Sequence, residues 1–383
     1  MKNFLVHDEN TRAEMLNNIG LNKIEDLFSQ IPQAARMENL NLEDPLSEME
    51  TQRKIKSLSK KNKTDYISFL GGGIYNKFIP AAIAQVANRF EFLTAYTPYQ
   101  AEIAQGTLQI MYEFQTMIAR LTGMDIANAT VYDGATACAE AILMAVRIKK
   151  LNKVLISDKI NPEYLDVIKT YTWANGIDIN IFDEMPSNTS EYACVLIQNP
   201  NFYGEITELK TIDTLLIVCV DVSTLSILKA PTEADIVVAD IQTLGMPLSF
   251  GGPHAGVIAC KEKYMRQMPG RLAGRTVDKD GNQAFTLTIQ TREQHIKREK
   301  ATSNICSNQA LMGLWANLYL SLMGEKGFRQ AGYLSAKNAH NLSQKLANKG
   351  IKTLNNNFFN EFVIEVDNSD KFLAKLKSQN IIG

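Results

Sequence analysis

The chain has 383 residues, 45% hydrophobic and 21% charged, with 40 Lys+Arg against 41 Asp+Glu and a formal net charge of −1. This composition excludes disordered, collagenous and coiled-coil classes, and at about 150 residues per domain it predicts two or three domains with a large core. The charge balance lacks the basic footprint of a nucleic-acid binder, and no apolar run approaches the roughly 18 residues of a membrane span.

Residues 1–10 carry one Lys and no apolar stretch long enough for a signal peptide. The five cysteines (Cys138, Cys194, Cys219, Cys260, Cys306) are odd in number and scattered, a poor disulfide framework without a C-x-x-C pair. Four histidines (His7, His254, His295, His340) stand at no metal-ligand spacing. The expectation is a reduced, cytoplasmic, metal-free protein that binds neither nucleic acid nor membrane.

Residues 1–63 read as an arm of short helices. Leu16, Ile19, Ile24, Leu27 and Phe28 recur at helical spacing, Pro32 interrupts, and Pro45 precedes a charged helix with Leu46, Met49 and Ile55. The arm holds too few large apolar residues to build its own core. From Tyr66 a short strand-like run ends in Gly71-Gly72-Gly73, followed by helices over 79–92, 100–121 and 135–150. Apolar, β-branched-rich runs at 154–157, 177–182, 194–198, 215–221, 236–239 and 255–260 predict strands, and 161–174 is long enough to cross between two of them as a helix. Repeated strand–crossover–strand units predict an α/β domain over 64–307 with a mostly parallel sheet covered on both faces. Residues 308–383 predict a small α+β domain: helices at 308–323 and 326–348, a strand at 361–366 and a helix at 370–379. One clear strand does not close such a domain.

Several segments could carry chemistry. Asp133-Gly134-Ala135-Thr136 opens the Ala-rich helix, where free amides and the helix dipole attract anions, although Asp133 or Thr136 as a plain cap explains it as well. Asp221 ends a strand at the edge where open α/β sheets bind ligands, and can hold a cationic ring nitrogen or start a turn with Ser223 and Thr224. The loop from Pro247 to Gly256 matches neither a P-loop nor G-x-G-x-x-G, and His254 within it is a base or a structural loop residue. Arg271 and Arg275 lie among glycines, suited to carboxylate or phosphate contacts. The charged stretch 292–300 reads as a solvated helix face. Tyr96-Thr97-Pro98-Tyr99-Gln100-Ala101-Glu102 places two tyrosines and an acid around a turn. These residues alone define an enzyme-like α/β protein with one or two anion sites and leave the reaction open.

Taken as continuous motifs, segments 69–80, 96–102, Gln105-Gly106-Thr107-Leu108-Gln109, 128–136, 251–256, 269–274 and 291–306 resemble the P-protein of the glycine cleavage system. The likeness runs from about residue 5 to the end and is closest to the alpha half of the two-subunit form. The resemblance implies the aspartate-aminotransferase fold (fold type I), with pyridoxal phosphate as electron sink for decarboxylating glycine and passing its aminomethyl group to the lipoyl arm of H-protein. It also implies a longer C-terminal domain than 308–383.

Such chemistry needs a lysine for the cofactor imine. Laying the catalytic half's Leu-His-Lys-Thr motif over Ile241-Gln242-Thr243-Leu244 places Thr243 at the lysine position. By resemblance, therefore, the cofactor sits on a catalytic beta subunit paired with this chain as α2β2. Tyr96, Tyr99 and Glu102 would face that partner's site, with Asp133–Thr136, Asp221, Thr243 and His254 as a vestigial cofactor or anion pocket and Arg271 and Arg275 as substrate or anion contacts. The alternatives are a scaffold that docks H-protein or steadies the catalytic subunit, and a self-sufficient enzyme using Lys229 or Lys261.

Overall fold

A computed structural model describes residues 7–37 and 41–383; residues 1–6, part of the opening segment read for a signal peptide, lie outside the described residues. The chain divides after Asp65 into two contact units.

In the first unit, α1 (Glu9–Asn18) starts where Asp8 accepts the Thr11 amide at 2.8 Å, and α2 (Glu48–Ser59) starts on a reciprocal Ser47–Glu50 capping box. Two short 3₁₀ turns, Ile24–Phe28 and Gln33–Ala35, lie between. None of these elements buries a residue, and Ile19 and Met49 are each 60% exposed.

The second unit opens with β1 (Ile67–Ser68), α3 (Ala81–Ala87) and α4 (Phe90–Leu93), so the helix expected over 79–92 is two pieces. There follow α5 (Gln105–Thr122), β2 (Ile126–Ala127), α6 (Gly134–Lys149), β3 (Lys153–Ser157), α7 (Pro162–Ala174), β4 (Asp178–Phe182), β5 (Cys194–Gln198), β6 (Leu215–Asp221), β7 (Ile236–Asp240) and β8 (Gly256–Cys260). Seven strands form one sheet in the order β2-β8-β7-β6-β5-β3-β4, parallel from β4 to β7, with β8 antiparallel. Strand β6 shows why both faces are covered. Leu216, Val218 and Val220 pack on one side with Phe114, Ile118, Ala316 and Phe328, while Leu215, Ile217 and Cys219 pack on the other with Ala137, Ile142 and Ile168. A strand apolar on both faces must be sandwiched between helices, as in parallel sheets generally.

Beyond β8 comes an antiparallel hairpin, β9 (Leu272–Val277) and β10 (Gln283–Thr288), which the strand runs read from the sequence did not include. After α8 (Gln294–Lys297) comes α9 (Ala310–Ala347), broken at Gly324, whose φ of 59° and ψ of 180° separate the two helices expected there. The strand expected at 361–366 does not form; its segment makes a single bridge, Thr353 to Ile364. The chain ends in α10 (Ser369–Ser378) and β11 (Ile381–Ile382), which pairs in parallel with β1.

Candidate functional site

The parallel strands β6 and β7 end in register on two aspartates, Asp221 opposite Asp240. Asp221 is fully engaged. Its Oδ1 accepts the Ser223 amide at 2.9 Å and the Thr243 hydroxyl at 2.9 Å, and its Oδ2 accepts the Ser223 hydroxyl at 2.8 Å. Thr243 is 4% exposed, and its only side-chain donor is spent on this carboxylate.

Asp240 reaches across to α6, where its Oδ2 accepts the Gly134 amide at 3.0 Å while Oδ1 accepts the Gln242 amide at 2.8 Å. Gly134 is required there, since a Cβ would run into the Tyr164 hydroxyl and the Asp240 backbone. Asp133 caps the same helix through Thr136, N–H to Oδ1 2.7 Å. Two of the amides that α6 could offer an anion are thus taken by carboxylates. Burial pushes the Asp240 carboxyl up to about 7, against the opposing pull of the Gln242 and Gly134 amides. The residue keeps a little accessible surface, all the same, toward a small cavity.

That cavity, about 30 Å³, is bounded by Tyr75, Asn161, Tyr164, Asp221, Asp240 and Thr243, with no lysine among the described residues that line it. The segment around Tyr75 roofs it. Gln242 accepts the Tyr75 amide (3.1 Å) and donates to its carbonyl (3.0 Å); Glu361 accepts the Gly72 amide (2.6 Å) and the Tyr75 phenol (2.7 Å). Burial first, then the charges of Glu361 and Asp221, holds that phenol far above its ordinary pKa. Asp240, Gln242, Tyr75 and Glu361 were not singled out from sequence as site residues. Only Asp240 carried a signal, a strand-end acid like Asp221.

His254 lies half-buried in the loop before β8, its Nε2 enclosed without a partner among the described residues, and burial lowers its pKa against the opposing effects of Leu248 and Asp133. The other candidates gather elsewhere. Arg271, 4% exposed, donates to the Tyr99 phenol (3.3 Å), the Cys306 carbonyl (2.8 Å) and Asn308 Oδ1 (3.2 Å), and its Nε lies 3.7 Å from Glu293. Tyr99 packs its ring against His295 at 4.9 Å. Motifs around 99, 271, 293 and 306 therefore meet in one cluster. Burial raises the Glu293 carboxyl there despite Arg271 and Arg292. Arg275 stands apart, exposed on β9, and Tyr96 (81% exposed) and Glu102 face solvent. Lys229 and Lys261 are ion-paired, to Glu233 at 2.5 Å and Asp235 at 3.3 Å.

A mostly parallel central sheet with helices on both faces is the architecture of the aminotransferase-like, pyridoxal-phosphate-dependent fold. The solved alanine–glyoxylate aminotransferase from Nostoc sp. shares this fold at 16% identity and a TM-score of 0.56, over 92% of this chain and 89% of that one. The family model for the glycine cleavage system P-protein matches residues 2–382, and the chain belongs to that family. A crystal structure of glycine decarboxylase (P-protein) in inhibitor-bound form is similar at 37% identity and a TM-score of 0.90, covering 100% of this chain and 91% of that one. The probable glycine dehydrogenase (decarboxylating) subunit 1 of Carboxydothermus hydrogenoformans is 44% identical over 402 residues, spanning 98% of this chain and 90% of the relative.

Proposed function

We propose that this chain is subunit 1 of a glycine dehydrogenase (decarboxylating) and is the half that carries no cofactor. It works as α2β2 with a catalytic subunit that holds pyridoxal phosphate and supplies the imine-forming lysine. The complex removes the carboxylate of glycine as CO2 and passes the aminomethyl group to the lipoyl arm of H-protein, with pyridoxal phosphate supplying the electron sink when bound to the partner.

The observation that carries this reading is the double closure of the strand-end site. The donor at position 243 is a hydroxyl bonded to Asp221, and a hydroxyl forms no imine. At the start of α6, where a phosphate would need free amides, Asp240 occupies Gly134 and Asp133 occupies Thr136. The space between holds about 30 Å³, about one water molecule and far less than a pyridine ring with its phosphate. These residues do not fit pyridoxal phosphate. Asp133, Gly134, Ala135, Thr136, Asp221, Thr243 and His254 are accordingly remnants of a cofactor pocket.

The chain's positive contribution is surface. Tyr96, Tyr99 and Glu102 face the partner's site, with Arg271 anchoring Tyr99 from below. Exposed Phe69, Leu70, Ile74, Phe90 and Leu93 on neighbouring stretches of chain offer apolar area for subunit contact. The five free cysteines support a cytoplasmic, reducing setting.

Reconstitution with the catalytic subunit and lipoylated H-protein tests this reading through glycine–bicarbonate exchange. Substituting Tyr96, Tyr99 or Glu102 lowers exchange at least tenfold while the complex still co-elutes on gel filtration. Full exchange with these variants would instead favour the scaffold reading, in which the chain only docks H-protein or steadies its partner.

A further inference from the structure

A second, larger cavity of about 450 Å³ lies beyond Thr243, between the strand-end loops and α9. Such a volume lies within the range of roughly 300–1,000 Å³ that small-molecule sites occupy. Its walls are mostly apolar, with Asn76, Gln330 and Ser335 among them: Tyr319, Phe328 and Phe359 are buried at 4%, 7% and 3% exposure, and Phe78 and Leu334 stand at the mouth, 71% and 45% exposed.

Three features make it more than a packing defect. Among the described residues Lys77 is the only charged one lining it, and it has no carboxylate partner there, only the Tyr75 ring 5.4 Å from its ammonium. The Tyr319 ring is buried, and its phenol oxygen, which has no hydrogen-bond partner among the described residues, still reaches open space. The hydroxyls of Ser223 and Thr243 at the inner end are already given to Asp221, so they neither repel nor claim a ligand.

We propose that this cavity binds a small amphipathic monocarboxylate, its carboxylate paired with Lys77 at the rim and its apolar body against Phe328, Tyr319 and Phe359. A mostly apolar enclosure with one cation at its rim selects by both properties at once. A hydrocarbon without the charge loses the ion pair, and a highly polar anion leaves the aromatic wall unfilled. Glycine is too small to fill it, so the ligand is not the substrate of the reaction, although Thr243 is a wall shared with the remnant cofactor pocket.

The test uses the intact chain and 3-phenylpropanoate as probe, followed by isothermal titration, with 3-phenylpropanamide as the uncharged control. The expected result is saturable one-to-one binding that weakens about five- to tenfold both in Lys77→Met and with the amide. Lys77 is half-exposed, and an unchanged urea midpoint for the variant confirms that it folds. Ala331→Trp, which fills the cavity from α9, is expected to abolish binding. Absence of saturable binding up to about 10 mM, or equal binding by Lys77→Met or by the amide, overturns the proposal.

Discussion

Replacing Asp240 with Asn isolates the closed helix start, and its effect follows from the geometry. In the folded chain this carboxyl titrates at about 7, against 3.8 for the free side chain, because burial disfavours its charged form. Between these values the folded state holds a proton that the unfolded chain has released. Stability therefore falls as pH rises from about 4 to about 7 and levels off beyond. At about 1.36 kcal/mol per pH unit, the wild type forfeits about 4 kcal/mol across the whole window, more than half of it between pH 5 and 8. The amide introduced by Asp240→Asn does not titrate. It can accept through one oxygen only, so either the Gly134 or the Gln242 amide loses its partner, at a cost of about 1 kcal/mol. The two proteins should thus lie within about 1 kcal/mol of each other at pH 5, and the variant should be the more stable by about 2–3 kcal/mol at pH 8. Urea unfolding at a series of pH values, comparing midpoints of the same transition, measures this. Parallel curves for the two proteins across that range would refute the assignment of Asp240 as a charge held against its solvation.

Other substitutions probe the remaining contacts. Thr243→Val removes the donor to Asp221 Oδ1 and should lower stability by about 1–3 kcal/mol at neutral pH; an unchanged urea midpoint would mean that this hydrogen bond contributes nothing. Arg271→Met leaves the Tyr99 phenol, the Cys306 carbonyl and Asn308 without their donor and takes a neighbouring cation from Glu293. A loss of about 3–5 kcal/mol is expected, with faster amide exchange confined to the segments around 99 and 306; uniform protection would contradict the clustering. Gly332→Ala drives a methyl into the buried Ser226 hydroxyl, which itself donates to the Ser223 carbonyl at 2.6 Å. It should cost about 1–3 kcal/mol, read as a lower thermal midpoint, and full stability would show that α9 can shift to make room.

The central sheet was legible because its signal is local. The run Leu215–Asp221 is apolar on both faces, and the helix of 161–174 between two strands leaves little choice but a parallel crossover. The hairpin Leu272–Val277 with Gln283–Thr288 escaped for an equally local reason. The stretch 269–275 drew notice for its arginines and glycines as anion contacts, and the Asp280-Gly281 turn signal was not set against flanking strands. The short strands Ile67–Ser68 and Ile381–Ile382 pair across almost the whole chain, a contact that no window of sequence contains. In the site, Asp221 and Thr243 stood out from their position at a strand end and in the motif overlay. The grip of Asp240 on Gly134 joins residues 106 apart, and Glu361 reaches Tyr75 across 286. Lys77 was invisible for the same reason, since a search for lysines near 243 in sequence passes over one that only the fold brings to the neighbouring cavity.

That lysine also makes covalent trapping the most direct measurement. The isolated chain is incubated with pyridoxal phosphate, reduced with borohydride, digested and mapped by mass spectrometry beside the catalytic subunit treated identically. The expected result is no stoichiometric phosphopyridoxyl adduct on this chain, at Lys77, Lys229, Lys261 or elsewhere, and one fully labelled lysine on the partner. A single fully modified lysine on this chain, with the matching aldimine absorbance before reduction, would contradict the assignment of the cofactor to the partner.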